Sequence, residues 1–136
     1  MTHVPNIPNL FNMSDRTAVV VGSGSGLGQV SALGLADAGA HVICADLSTE
    51  AAQATAQIIA ERGDSAEAFT VDITDTSSVD ALAQSFADAH ALVITPGANV
   101  RKRLLDPTDD EFDRVIDINL KGTYRLMRAF GDNMRE

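Results

Sequence analysis

The chain has 136 residues, 45% of them apolar, and a formal charge of −9 from 19 acidic and 10 basic side chains. That length suits one domain with a sizeable core, and the acidic balance opposes nonspecific nucleic-acid binding, which needs phosphates neutralised. No segment nears the roughly 20 apolar residues of a membrane-spanning helix, so no membrane partner is expected.

Residues 1–13 hold Pro5 and Pro8 and no cationic, apolar leader, so they read as an N-terminal arm on a single domain spanning 1–136. Residues 17–21 form a β-rich apolar run, and 27–38 carry helical spacing with Leu27, Val30, Gly34 and Ala38 on one face. Gly39 is a plausible helix stop. A second strand follows at 41–45, apolar apart from His41 and containing the single cysteine, Cys44. That thiol has no internal partner and reads as a small hydrophobe in a reducing, cytoplasmic setting. A helix over about 49–62 turns Ala51, Ala54, Ile58 and Ile59 inward and stops at Gly63. A third strand spans 67–71, and a helix over about 76–88 uses Val79, Leu82, Ala83 and Phe86. The fourth strand runs from Ala91 to Thr95 and ends at Pro96-Gly97. Thr108-Asp109-Asp110-Glu111 resembles a capping box before a helical stretch to about 134, built on Phe112, Val115, Ile116, Leu120, Leu126, Met127 and Phe130.

Strands separated by helices imply parallel pairing through right-handed crossovers, hence an α/β fold with a doubly wound parallel sheet in three layers. Ligands on such sheets bind at the carboxyl ends of the strands. Four features of this sequence fall there. The first is Gly22-Ser23-Gly24-Ser25-Gly26-Leu27-Gly28, between strand and helix. Glycines let the backbone turn sharply and approach a pyrophosphate, while the helix N-terminus offers N–H groups and a favourable dipole. The second is Asp46, followed by Leu47, at the end of the second strand and twenty positions after Gly26. A carboxylate there can take both hydroxyls of a ribose, and it also suits a helix cap; the two roles can coexist. Its charge repels a 2′-phosphate, and no Lys or Arg follows to welcome one, so NAD is favoured over NADP.

Asp72-Ile73 ends the third strand, where the carboxylate can accept from an adenine amino group or cap the next helix. Thr95-Pro96-Gly97 closes the fourth. Asn119 sits among apolar residues of the last helix, and its amide either bonds nearby backbone or holds water or cofactor near a site. Tyr124 and Arg128 share a helical face, which suggests a surface pair rather than a general acid with its cation. Arg101-Lys102-Arg103 reads as a solvated loop, with an anionic substrate as the alternative. His3, His41 and His90 are scattered, so no metal is expected.

Together these residues resemble the short-chain dehydrogenase/reductase family. The similarity runs from Leu10-Phe11 and the lead-in Ser14 to Val21, through Gly22-x-x-x-Gly26-x-Gly28, Asp46 and Asp72-Ile73, to Asp117-Ile118-Asn119-Leu120-Lys121-Gly122. It implies a Rossmann-like fold of about four strands in the order 3-2-1-4. It also implies NAD as cofactor, hydride exchange with a small-molecule alcohol or carbonyl substrate, Asp46 as the NAD-selecting acid, and Asp72-Ile73 at the adenine. Asn119 matches the family's catalytic asparagine. Thr95-Pro96 stands where the family usually has Asn-Ala, and the stretch from Asp72 to Gly97 is shorter than usual by about four residues. The family's serine and Tyr-x-x-x-Lys lie beyond its asparagine helix, and this chain stops at Glu136. The expectation is therefore a cofactor-binding portion of an oxidoreductase, inactive alone, with strand four an open edge and a homo-oligomer formed through the 110–134 helix. A non-catalytic NAD-binding module is the alternative, and an S-adenosylmethionine-dependent methyltransferase a third.

Overall fold

A computed structural model describes residues 10–135. The expected arm lies largely outside the described residues, as does His3. Four parallel strands, β1 (Thr17–Val21), β2 (His41–Asp46), β3 (Ala66–Thr70) and β4 (Ala91–Ile94), form one sheet in the order β3-β2-β1-β4. The register runs Val19 beside Ile43 and Leu92, and Cys44 beside Ala68. β1 and the interior of β2 are buried on both faces, which is why they read as near-continuous apolar runs. β4 borders only β1 and is an edge of this sheet.

Alternate residues of each strand feed two cores. One face carries Ala18, Val20, Val42 and Cys44, packed by Ala32 and Ala36 of α1 (Gly26–Asp37) and Ile59 of α2 (Thr49–Glu61). The other carries Val19, Val21, Ile43 and Ala45, covered by Val79 and Leu82 of α3 (Thr76–Ser85) and by Leu126 and Phe130 of α5 (Thr123–Gly131). This is the three-layer α/β/α arrangement. Gly39 and Gly63, the expected stops of α1 and α2, both have positive φ.

Two inward faces differ from the sequence reading. In α1 the buried residues are Gly28, Ala32 and Ala36, while Leu27, Val30 and Gly34 face outward. The cause is proximity: a Cβ on Gly28 would lie 1.9 Å from the Gly22 carbonyl oxygen, so only the small-residue face can meet the sheet. Apolar residues surround α1 on all sides, and spacing alone could not choose among them. In α2 the face is Ala52, Thr55 and Ile59; Ala54 is exposed, and Thr55 is buried because its hydroxyl donates to the Ser23 carbonyl at 2.9 Å.

The last helical stretch is one rod with three parts. α4 (Asp109–Ile116) starts at a capping box in which Thr108 accepts from the Glu111 N–H and Glu111 accepts from the Thr108 N–H. A π-helical segment (Asp117–Gly122) follows, then α5. Only Leu126 and Phe130 of the rod's expected apolar residues are fully buried; Phe112, Leu120 and Met127 are exposed. Among the described residues no helix is long and apolar enough to cross a membrane.

Gly34→Ala is expected to stabilise the protein by about 1 kcal/mol, because the position is an exposed helix interior with open space around it. Gly28→Ala is expected to prevent normal folding. Thermal unfolding of the two variants beside the parent checks both signs.

Candidate cofactor site

The glycine turn is built by β1 meeting its neighbours. The Gly22 and Ser23 N–H groups both donate to the Ala45 carbonyl, at 2.8 and 3.1 Å, so the turn is hung from the end of β2. Gly22 has φ +83, and a Cβ there would lie 2.5 Å from Thr95 Oγ1. That hydroxyl donates to the Val21 carbonyl at 2.9 Å, tying the end of β4 to the turn. Ser23 is fully buried, its hydroxyl on the Ala45 carbonyl.

α1 opens at Ser25, whose side chain makes no cap. Among the described residues the N–H groups of Gly26, Leu27 and Gly28 have no acceptor, as expected of a first helical turn. Nothing would meet a Cβ on Gly26 within 4 Å, so the space beside it is open.

Asp46 lies at the next strand end. Its Oδ2 accepts from the Gly24 N–H at 2.9 Å and its Oδ1 from the Ser48 N–H at 3.0 Å. The cap of α2 is Ser48, which accepts from the Ala51 N–H, so Asp46 is not itself the cap. Asp72 likewise leaves the next helix to Asp75, the N-cap of α3. Its Oδ1 instead accepts from the Thr74 N–H and hydroxyl, at 2.8 and 2.7 Å.

These ends surround a cleft of about 460 Å³, a size usual for small-molecule sites. Gly22, Ser25, Gly26, Leu27, Gly28, Asp46, Leu47, Asp72, Ile73, Thr95, Pro96 and Gly97 line it, twelve of the positions singled out in the sequence. Ser23 and Gly24 do not. They lie behind the wall, where Ser23 fills the core and Gly24 holds Asp46. Val21, Val71, Thr74 and Ile118 complete the lining; Val21 and Ile118 lie within the family-like segments without a site role of their own, and only the topology brings Val71 and Thr74 here.

Asn119 stands just outside. Its Oδ1 accepts from the Ala98 N–H at 2.7 Å and its Nδ2 donates to the Ala98 carbonyl at 2.9 Å, so the amide imitates a strand partner for the chain leaving Gly97. It is an amide bonded to backbone, acting on the cleft through Gly97-Ala98. The π-helical turn that carries it fits the tendency of such turns to occur at functional sites. Tyr124 is exposed and outside the cleft. In the basic loop Lys102 pairs with Glu111 at 2.6 Å and Arg103 with Asp106 at 2.9 Å. Among the described residues no group of three His, Cys, Asp or Glu could hold a metal ion.

Among the described residues three groups depart from their usual acidity. Burial pushes the Cys44 thiol up to about 11. Hydrogen bonds from Ser77 hold Asp75 below the usual carboxylate range, and the Lys102 ammonium does the same for Glu111.

The sequence pattern of the short chain dehydrogenases matches residues 16–136. The chain belongs to that family of oxidoreductases. It is 34% identical over 126 residues to "Probable oxidoreductase EphD" of Mycobacterium tuberculosis, covering 90% of this chain and 21% of that one. The crystal structure of a short-chain type dehydrogenase/reductase from Mycobacterium marinum superposes with a TM-score of 0.91 at 28% identity, over 96% of this chain and 54% of that one. A 3-oxoacyl (acyl-carrier-protein) reductase from Agrobacterium tumefaciens, solved with NADP bound, gives 0.87 at 29% identity, over 95% and 51%. The chain thus spans about half the length of these solved relatives and a fifth of the first. Family membership removes the methyltransferase alternative.

Because the Cys44 thiol stays protonated through neutral pH in the folded protein, a thiol reagent at pH 8 should label it only after denaturant is added. Asn119→Ala, which strips two hydrogen bonds from Ala98, is expected to cost about 1–2 kcal/mol in a urea titration.

Proposed function

We propose that the chain binds NAD(H) at the carboxyl edge of its sheet and supplies the cofactor-holding part of an oxidoreductase acting on a small alcohol or carbonyl compound. The observation that carries the NAD preference is Asp46. Two backbone N–H groups hold its carboxylate at the cleft wall, and no Lys or Arg lines that wall. An anion fixed there suits ribose hydroxyls and repels a 2′-phosphate.

The fit to a dinucleotide rests on donors and space. The free N–H groups of Gly26, Leu27 and Gly28 and the open side of Gly26 suit a pyrophosphate. Asp72 and Ile73 suit the adenine, and Thr95-Pro96-Gly97 borders the side toward Asn119. When bound, the nicotinamide supplies the hydride acceptor or donor. This chain's residues bind and orient: Asp46 grips the sugar, α1 neutralises the phosphates, and Asn119 keeps the Gly97-Ala98 backbone in place.

A binding module without turnover of its own is the second reading, and the position of Tyr124 favours it. The chain's only tyrosine is exposed and does not line the cleft, so among the described residues no phenol stands there to serve as its acid. A partner follows from the same rod. Phe112, Leu120, Tyr124 and Met127 are exposed along 109–131, and a second copy of the chain is the proposed cover for this apolar face.

NADH is expected to bind with at least tenfold preference over NADPH, on the order of 1.4 kcal/mol, and Asp46→Ala should narrow that preference mainly by weakening NADH. Calorimetry with both cofactors checks it; failure of NADH to bind folded protein would reject the reading. NAD binding without reduction across a panel of secondary alcohols would favour the module. Sedimentation should show concentration-dependent association that Leu120→Glu reverses.

A further inference from the structure

Arg125 has no part in the cleft wall, yet among the described residues it is the one Lys or Arg that is not exposed. Its side chain is 18% exposed, and Asp117, eight residues earlier on the same rod, meets it at 2.9 Å. The other arm of the guanidinium donates to the main-chain carbonyl of Ile73 at 3.1 Å. Fifty-two residues separate Arg125 from Ile73 in sequence. A partly buried ion pair is weak evidence of stabilisation, since apolar side chains of similar volume often do as well. What it does supply here is a fixed position for one carbonyl.

That carbonyl belongs to a segment held on several sides. The Asp72 N–H donates to Ser78 Oγ at 3.0 Å, and Asp72 Oδ1 closes a turn with Thr74. The Ile73 side chain sits against Gly122, where a Cβ would lie 2.7 Å from Ile73 Cδ1. Gly122 and Arg125 therefore grip Ile73 from the same helical rod, one by its side chain and the other by its backbone. Two groups of the segment remain unpaired among the described residues, the Ile73 N–H and Asp72 Oδ2, and both residues line the cleft. One is a donor and the other an acceptor.

We infer that Arg125 is the positioning residue for purine recognition: by holding the Ile73 carbonyl it keeps this donor–acceptor pair turned to the cleft, where it matches adenine and mismatches a 6-oxopurine. Adenine presents an amino donor beside a ring-nitrogen acceptor, and hypoxanthine presents the reverse. A site built to pair one edge leaves its own groups unpaired against the other, which is the strongest form of discrimination available to a pocket. The inference deepens the dinucleotide reading and rests on it. Asp117 orients the arginine, and Gly122 admits Ile73 to its place.

The test compares NADH with its hypoxanthine analogue, titrated calorimetrically into the full chain. The parent is expected to favour NADH by about tenfold or more. Arg125→Met should weaken NADH about tenfold and the analogue at most about twofold, so the preference collapses. Arg125→Lys, which keeps a charge for Asp117 but cannot span both acceptors, should restore part of it. Asp117→Asn is the second variant, expected to shift the preference the same way by a smaller factor, and it carries the comparison should Arg125→Met fail to fold. Equal loss for both dinucleotides would reduce Arg125 to a structural role and overturn the inference, as would a preference that ignores all three substitutions. A parent that binds neither dinucleotide would overturn the cofactor reading and this inference together, whereas NADH binding indifferent to Arg125 sinks this one alone.

Discussion

The fold depends on how closely the start of α1 approaches the end of β1. With Gly28 lying over the Gly22 carbonyl, there is no room for even a methyl group between helix and strand. Because α1 starts this near the sheet, its free N–H groups open onto the strand ends instead of onto bulk water. The same approach buries Ser23, draws the Thr55 hydroxyl of α2 onto the Ser23 carbonyl, and leaves the Gly24 N–H facing Asp46. A larger residue at position 28 would lift the helix, and the contacts that shape the glycine-turn end and the Asp46 end of the cleft would separate together. Two sites that look independent along the chain share one packing constraint.

An acidic chain with two carboxylates and no cation in its cleft wall is an unusual host for an anionic dinucleotide on charge alone. On the proposed reading the conflict is resolved by range. Screening confines the field of surface carboxylates to roughly 8 Å in physiological salt, while backbone N–H groups act at hydrogen-bond distance with fixed direction. The proposed attraction at the helix start is therefore local and directional, and the carboxylates are left to groups that offer a donor.

Much of this was legible in the amino acids because the elements involved obey local rules. β1 and the interior of β2 are apolar on both faces, so their runs mark central strands without ambiguity. Thr108 and Glu111 cap each other within one turn, and that pattern is local too. The inward face of α1 was not legible. Leu27 and Val30 are more apolar than Gly28 and Ala32, and only the short distance to the sheet makes size outweigh hydrophobicity. Thr55 was hidden for a related reason, since a hydroxyl looks like surface until its acceptor, the Ser23 carbonyl, is known. Asn119 could be matched to the family's asparagine, but its partner on the backbone could not be named, because Ala98 lies 21 residues away. Arg125 carried no signal at all. An arginine between Lys121 and Arg128 in an amphipathic helix is ordinary, and its bond to Ile73 is visible only in the fold.

The π-helical stretch from Asp117 to Gly122 has a bearing on which length changes the chain can absorb. A wide turn accommodates one residue more than an α-turn would over the same span. Removing a single residue there would let the rod close into uninterrupted α-helix while the turns on either side keep their facing. Leu126 and Phe130 would stay on the sheet, whereas Ile118 at the cleft and Asn119 on Ala98, both inside the six positions, would be displaced. A length change at this point therefore spares the core and falls on the edge of the cleft.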